Sequence, residues 1–384
     1  MADSPGALLS ILRDGQARTR AELVQLTGLA RSTVSQRLDA LLLQRWIVPA
    51  EDTISSGGRP STAFAFNPLA RIVLAADLGV THAHLAITDL HGAILAEHAG
   101  DLAIDQGPEP CLGWLLENFT KLLAECGHGL ADVCGLGVGL PGPVDHQSGR
   151  PVNPPLMPGW DGFSVTTWLG SRISAPVLVD NDVNIMALGE HTAAGPQAGH
   201  LLFAKVGTGI GCGIIADDRL HRGARGAAGD IGHIGVPGSD VVCRCGNIGC
   251  LEAVAGGGAL AARLRGEGLQ TADARDVVRL VRAGDTRAIR LVRQSGRELG
   301  LVLASIVNFF NPSQIVIGGD LADAGEHLIA GVREVIYGRS LPLATQRLDI
   351  RPSALGARAG VTGAAAMVVD HVLAPDAVDQ SVQR

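Results

Sequence analysis

The sequence predicts an α/β protein in two parts, a small winged helix-turn-helix head and a larger body of glycine-punctuated strand pairs. Three observations carry that prediction. Two helical segments with apolar residues at helical spacing flank Gly28. The apolar run 72–79 and the segment 206–211 each lead through a glycine-rich turn into a strand pair. His233, Cys243, Cys245 and Cys250 lie close enough in sequence to share one ion.

At 384 residues, with roughly 150 residues per domain, two or three domains are expected. Hydrophobic residues make up 46% and charged residues 18%, enough to fill sizeable cores and to exclude a disordered chain. Fifty-one glycines with 3% aromatics point to many tight turns and close backbone approaches. The net charge of −7 excludes a surface coated all over by nucleic acid. Residues 1–68 hold seven Arg, no Lys and six acids, so a near-neutral head sits on a body of charge −8. Four of the seven cysteines are scattered, which fits a metal site in a reducing compartment better than disulfides. No basic-then-apolar leader and no apolar run of about 18 residues is present, so a cytoplasmic, membrane-free protein is expected.

In the head, residues 5–15 read as a first helix carrying Leu8, Leu9, Ile11 and Leu12. Thr19 and Glu22 form a capping box that opens a second helix running to about Thr27. After the Gly28 turn, a third helix starts near Ala30 or Arg31, with Val34, Leu38, Leu41 and Leu42 on one face. Arg31, Ser32, Thr33, Ser35, Gln36 and Arg37 are short polar or planar cationic groups in its N-terminal half, the part of a recognition helix that enters the major groove. Trp46–Val48 and Ala63–Phe66 read as wing strands joined by a Ser-Gly-Gly turn. Arg59 is either part of a plain turn or an arginine reaching the minor groove. A three-helix protein-interaction module is the plainer alternative for the whole head.

The body opens with the strand Ile72–Gly79, which ends in Asp77 and a turn, followed by strands at 84–89 and from Ile94. Asp77-Leu78-Gly79-Val80-Thr81 can cradle an anionic oxygen through backbone N–H groups and the Thr81 hydroxyl. The pattern recurs at Gly207-Thr208-Gly209. Two such loops on separate lobes facing a cleft are the arrangement of actin-like sugar kinases. The zinc reading comes from residue chemistry: three thiolates and one imidazole make a closed tetrahedral Zn²⁺ site, structural rather than catalytic.

From about residue 71 the chain resembles the ROK family (repressors, open reading frames and sugar kinases). The resemblance is carried by Gly139–Asp145, Pro158-Gly159-Trp160, Val179–Asn184, Gly223–His233 and Cys243–Glu252. It implies a hexokinase-like fold, and that His233, Cys243, Cys245 and Cys250 hold the zinc. It implies a sugar site at Asn181, Asp182, Asp230, His233 and Glu252, with Asp182 as the general base in members that are kinases. Asp182 could equally cap the helix that follows. Asp230 departs from the family's usual Glu. Phosphate contacts would fall on Gly79, Thr81, Gly207, Thr208 and Gly209. Here Val80 crowds the first loop, His82 replaces a permanent cation, and Asp320 adds an acid near the nucleotide region.

The domains expected are a head with linker at 1–70, a first lobe at 71–190 and a second at 191–384 whose last helix returns to the first. The predicted function is a sugar-responsive DNA-binding regulator, a repressor of carbohydrate genes, acting on double-stranded operator DNA as a homodimer or dimer of dimers. Its sugar signal is expected to reach the head through the segment near Asn67–Pro68. The apolar stretch Ala288–Phe310 is read as core or dimer contact. The alternatives are an ATP- and Mg²⁺-dependent sugar kinase with a regulatory head, and a zinc-dependent interaction protein without ligand.

Overall fold

The computed structural model describes residues 4–50, 62–195 and 199–383. Three short helices build the head: α1 (Pro5–Leu12), α2 (Arg20–Thr27) and α3 (Arg31–Leu43). Ser4 caps α1, which stops at Leu12, short of the expected 15, because Gly15 adopts a positive φ of 83° in the turn beyond it. The capping box forms: Thr19 accepts from the Glu22 amide, and Glu22 accepts from the Thr19 amide at 2.7 Å. Gly28 ends α2 in the left-handed region at φ 69°, which turns the chain into α3.

Strands β1 (Arg18–Thr19), β2 (Ile47–Ala50) and β3 (Ala63–Phe66) make a sheet in the order β1-β3-β2. Pro49, which cannot donate to a ladder, lies on edge strand β2. The expected Ser-Gly-Gly turn and Arg59 lie outside the described residues.

The body contains the same sheet twice. In the first lobe β4 (Ile72–Leu78), β5 (His82–Thr88) and β6 (Ile94–Asp101) run antiparallel. β7 (Val133–Leu140) then pairs parallel to β4, and β10 (Val177–Asn181) parallel to β7. Between them, β8 (Val144–Asp145) and β9 (Arg150–Pro151) form a small hairpin. In the second lobe β11 (Leu201–Val206), β12 (Ile210–Ala216) and β13 (Arg219–Leu220) repeat the antiparallel meander. β14 (Gln314–Gly318) and β15 (Asp349–Pro352) add parallel strands. The two orders, β10-β7-β4-β5-β6 and β15-β14-β11-β12-β13, correspond strand for strand.

Helices α4 (Pro108–Glu125) and α5 (Val165–Gly170) connect the first sheet. The second lobe inserts α7 (Leu251–Ala255), α8 (Gly257–Gly266), α9 (Ala274–Arg282) and α10 (Thr286–Phe310) before β14, then α11 (Glu326–Arg339) and α12 (Pro342–Thr345) before β15. Leu299, Leu303 and Val307 of α10 are buried in the second-lobe core, as the core reading expects, while Phe309 is exposed. Among the described residues no single helix is long and apolar enough to cross a membrane.

Two helices link the parts. α6 (Asp182–Ala194) lies between the lobes, packed on β12 on one side and on α13 (Ala359–Val372) on the other. Glycines allow both contacts: a Cβ on Gly213 would meet the Val183 carbonyl oxygen at 2.6 Å, and one on Gly363 the Ile185 carbonyl oxygen at 1.7 Å. α13 packs on β4 and β7, and α14 (Pro375–Val382) then packs on α1 of the head. One apolar cluster accordingly joins Leu8, Leu12 and Leu38 of the head to Val73, Val368 and Val378 of the body. The head is thus seated on the body's last two helices as well as tethered at Asn67, whose amide nitrogen Nδ2 donates to the Arg45 carbonyl at 3.0 Å.

Candidate functional site

Between the two sheets lies a cleft of about 1120 Å³. Its walls bring together Asn181, Asp182, Asp230, His233 and Glu252 with Gly79, Thr81, Gly207, Thr208 and Gly209. The expected sugar and phosphate residues thus share one space.

Asn181 and Asp182 stand where β10 passes into α6. The helix cap is Asn181, not Asp182: its Oδ1 accepts from the Val183 and Asn184 amides at 2.9 and 3.3 Å, while Asp182 is the first helical residue. Asn181 Nδ2 donates to the Gly142 carbonyl at 2.8 Å, so its remaining N–H is what it can offer a ligand. Asp182 is freed from capping and faces the cleft with a buried carboxylate paired to Lys205.

Glu252 reaches the second glycine loop, where its Oε2 accepts from the Ile210 amide at 3.2 Å. A Cβ on Gly209 would lie 2.1 Å from that oxygen, which makes glycine the residue that fits there. Asp230 is exposed at the rim, after Gly229, which at φ 95° packs so tightly on β12 that a Cβ would meet the Cys212 carbonyl oxygen at 1.7 Å.

The first glycine loop closes with the Gly79 amide donating to the His82 carbonyl at 2.8 Å. Asp320 does face the cleft: its carboxylate comes within 4.0 Å of His82 Nε2. Burial holds His82 below its ordinary pKa despite Asp320, so a neutral imidazole stands where a fixed cation would attract phosphate. Burial also pushes Asp77 up to about 7, with Lys205 opposing and Asp182 and Asp320 adding to the rise.

At the cleft edge His233, Cys243, Cys245 and Cys250 place one ligand atom each within 4.8 Å of one another. Cys245 and Cys250 sulfurs are 3.6 Å apart, and Cys243 Sγ is 3.8 Å from His233 Nδ1. A tetrahedral ion with bonds of about 2.0–2.3 Å sets edges of about 3.5–3.8 Å. The four residues therefore fit a metal. Gly246 and Gly249, at φ 92° and 78°, supply the left-handed turns that fold the loop around the cluster.

Sequence reasoning did not single out three cross-lobe ion pairs on the β10–α6 segment. Arg222 Nε donates to Asp180 at 2.6 Å, Lys205 pairs with Asp182, and Arg351 Nη1 donates to Glu190 at 3.3 Å. All three acids are buried and all three cations come from the second lobe. Lys205 alone carried a signal, as a charge in the otherwise apolar run Leu201–Val206.

In the head, Arg31, Ser32 and Gln36 of α3 are exposed, and Thr33, Ser35 and Arg37 are half-buried. Val34, Leu38 and Leu41 are buried on the opposite face.

The ROK family profile matches residues 73–371. The chain belongs to the ROK family. The xylose repressor of Caldicellulosiruptor bescii is 30% identical to this ROK chain over 380 residues, 95% of each protein. A ROK family transcriptional regulator, a homologue of the Escherichia coli MLC protein, shares the fold with a TM-score of 0.80 at 24% identity over 98% of both chains. A ROK glucokinase from Streptomyces griseus, solved with glucose and AMPPNP, is 27% identical with a TM-score of 0.67, covering 77% of this chain and 98% of its own. The repressor alignment runs through the head, whereas the glucokinase matches the extent of a ROK body.

Proposed function

We propose that this ROK protein is a carbohydrate-responsive transcription repressor, with a winged helix-turn-helix head reading duplex DNA and the interlobe cleft taking the sugar. The observation that carries the reading is the span of the likeness, which covers 95% of a xylose repressor, head included, against 77% of this chain for a glucokinase. In this reading Arg31, Ser32, Thr33, Ser35, Gln36 and Arg37 of α3 read the major groove, with Arg59 on the wing. Asp182, Asp230 and Glu252 accept hydrogen bonds from sugar hydroxyls, and Asn181 and His233 complete the site.

Zinc is the ion this donor set selects: three thiolates and an imidazole leave no open coordination position. Held by His233, Cys243, Cys245 and Cys250, such an ion would supply folding free energy and fix the tautomer of His233. Held so, the His233 ring would stay still against the cleft. Two heads, carried in a dimer or dimer of dimers, would meet half-sites about one DNA turn apart.

The kinase reading is favoured by the same Asp182, the family's general base. It is opposed by Val80 in the first loop, by the neutral His82 and by the Asp320 carboxylate beside the second loop. A triphosphate brought there would meet the Asp320 carboxylate, with the cleft cations Lys205 and Arg275 already paired to Asp182 and Asp273. The experiment that tests the proposal is selection of bound duplexes from a random pool by the full chain, followed by competition with D-xylose, D-glucose and N-acetyl-D-glucosamine. A selected sequence released by one sugar supports it; no selected sequence overturns it.

A further inference from the structure

β11 is apolar except at Lys205: Leu201, Leu202, Phe203, Ala204 and Val206 are all buried. The residues opposite Lys205 on both neighbouring strands are glycines, Gly211 on β12 and Gly318 on β14. Neither neighbouring strand sets a side chain of its own beside Lys205; the Phe203 ring lies over Gly318 and Val183 over Gly211, and Lys205 lines the cleft. Its ammonium pairs there with Oδ2 of Asp182, whose side chain is 4% exposed. Asp77 and Asp320 lie within electrostatic reach. Burial works to lower the Lys205 pKa, yet the three carboxylates together hold it above the ordinary lysine value.

An ammonium seated on one oxygen of a buried carboxylate fixes where the other oxygen points. We infer that Lys205 is the positioning and specificity-determining residue of the sugar site: its contact with Oδ2 holds the Asp182 carboxylate in one orientation and leaves Oδ1 to accept from a sugar hydroxyl. Because Lys205 belongs to the second lobe and Asp182 opens the helix between the lobes, the same pair ties recognition of the sugar to the spacing of the lobes. The inference rests on the cleft being the sugar site.

Calorimetric titration of the full zinc-loaded chain with D-xylose, D-glucose and N-acetyl-D-glucosamine, between pH 5.5 and 8.5, tests it. Wild type, Lys205→Met and Lys205→Arg are compared, with thermal melting to verify folding. The expected result is affinity lowered roughly tenfold or more in Lys205→Met, with a pH profile displaced from wild type, because the Asp77 carboxyl in the cleft then loses the cation that opposes its protonation. Lys205→Arg restores both affinity and profile to near wild type. If Lys205→Met does not melt cooperatively, Lys205→Gln is read in its place against the same expectation. Affinity and pH profile unchanged in the neutral variant overturn the inference, as does equal loss in Lys205→Arg. Failure of the wild type to bind any of the sugars overturns instead the sugar-site reading beneath it.

Discussion

The backbone amide of Gly6, in the first helix of the head, donates to Oδ1 of Asp379, in the last helix of the body, at 2.7 Å. The contact is close because position 6 has no side chain: a Cβ there would lie 2.2 Å from the Pro375 carbonyl oxygen. α14 follows α13, and α13 packs along α6, whose first residue is Asp182. A continuous set of packed helices therefore runs from the cleft to the head, in addition to the expected link at Asn67–Pro68. Whether this set has two arrangements is what the head-seating variants test.

Gly6→Ala should unseat α1 from α14, because overpacking against backbone has no flexible neighbour to yield. The cost expected is about 1–3 kcal/mol, read as a lower first transition in thermal melting and faster proteolysis of the head. Asp379→Ala, which removes only the acceptor, should cost about 1–3 kcal/mol for a buried unpaired donor, and toward the lower end because the site is part-buried. In both variants the response of DNA binding to sugar should shrink more than sugar affinity does.

Metal content follows from the cysteine cluster. One zinc per chain is expected by elemental analysis. Cys243→Ser or Cys250→Ser should lose the ion, lower the melting temperature and weaken sugar binding, because His233 is then no longer held. Unchanged sugar affinity in a zinc-free, folded variant would separate the metal from the site.

Much of this was legible in the sequence, and the reason is locality. The Thr19–Glu22 capping box, the Gly28 turn and the Cys243–Cys250 loop each lie within a few residues of chain, so spacing alone prescribes their geometry. The cross-lobe pairs Arg222–Asp180 and Arg351–Glu190 join residues 42 and 161 apart, and no local pattern marks them. The cap of α6 turned on one position: Asn181 and Asp182 are both good caps, and only the backbone decides that Asn181 holds the extended conformation while Asp182 is helical. β1, two residues long, has no periodicity to read.

Stability should depend on pH through Asp77. Its folded-state pKa of about 7 lies above its unfolded value, so the native state binds the extra proton between pH 4 and 7. Stability from this group is complete below about pH 4, declines as pH rises through 7 and changes no further above. At 1.36 kcal/mol per unit the decline is at most roughly 4 kcal/mol. Asp77→Asn should remove this slope and melt higher than wild type at pH 8, measured by calorimetry from pH 4.5 to 8.5. A steeper slope in the variant would contradict the assignment.

In the head, Arg31→Ala and Gln36→Ala should each weaken binding to a selected duplex by about 1–3 kcal/mol if they grip base edges. Their effect should vary with the base changed at one position of the site. A uniform loss across sequences, with a shallower salt dependence, would mark a phosphate contact instead. Equal binding by both variants would move the reading surface off α3.

The most direct test of the account is the fluorescence anisotropy of one selected duplex, titrated with the full zinc-loaded protein at fixed salt, with and without a sugar that calorimetry shows to bind. The sugar should shift the Kd for DNA by roughly tenfold, a coupling of about 1.4 kcal/mol between cleft and head. The same Kd with the cleft empty and saturated would contradict it.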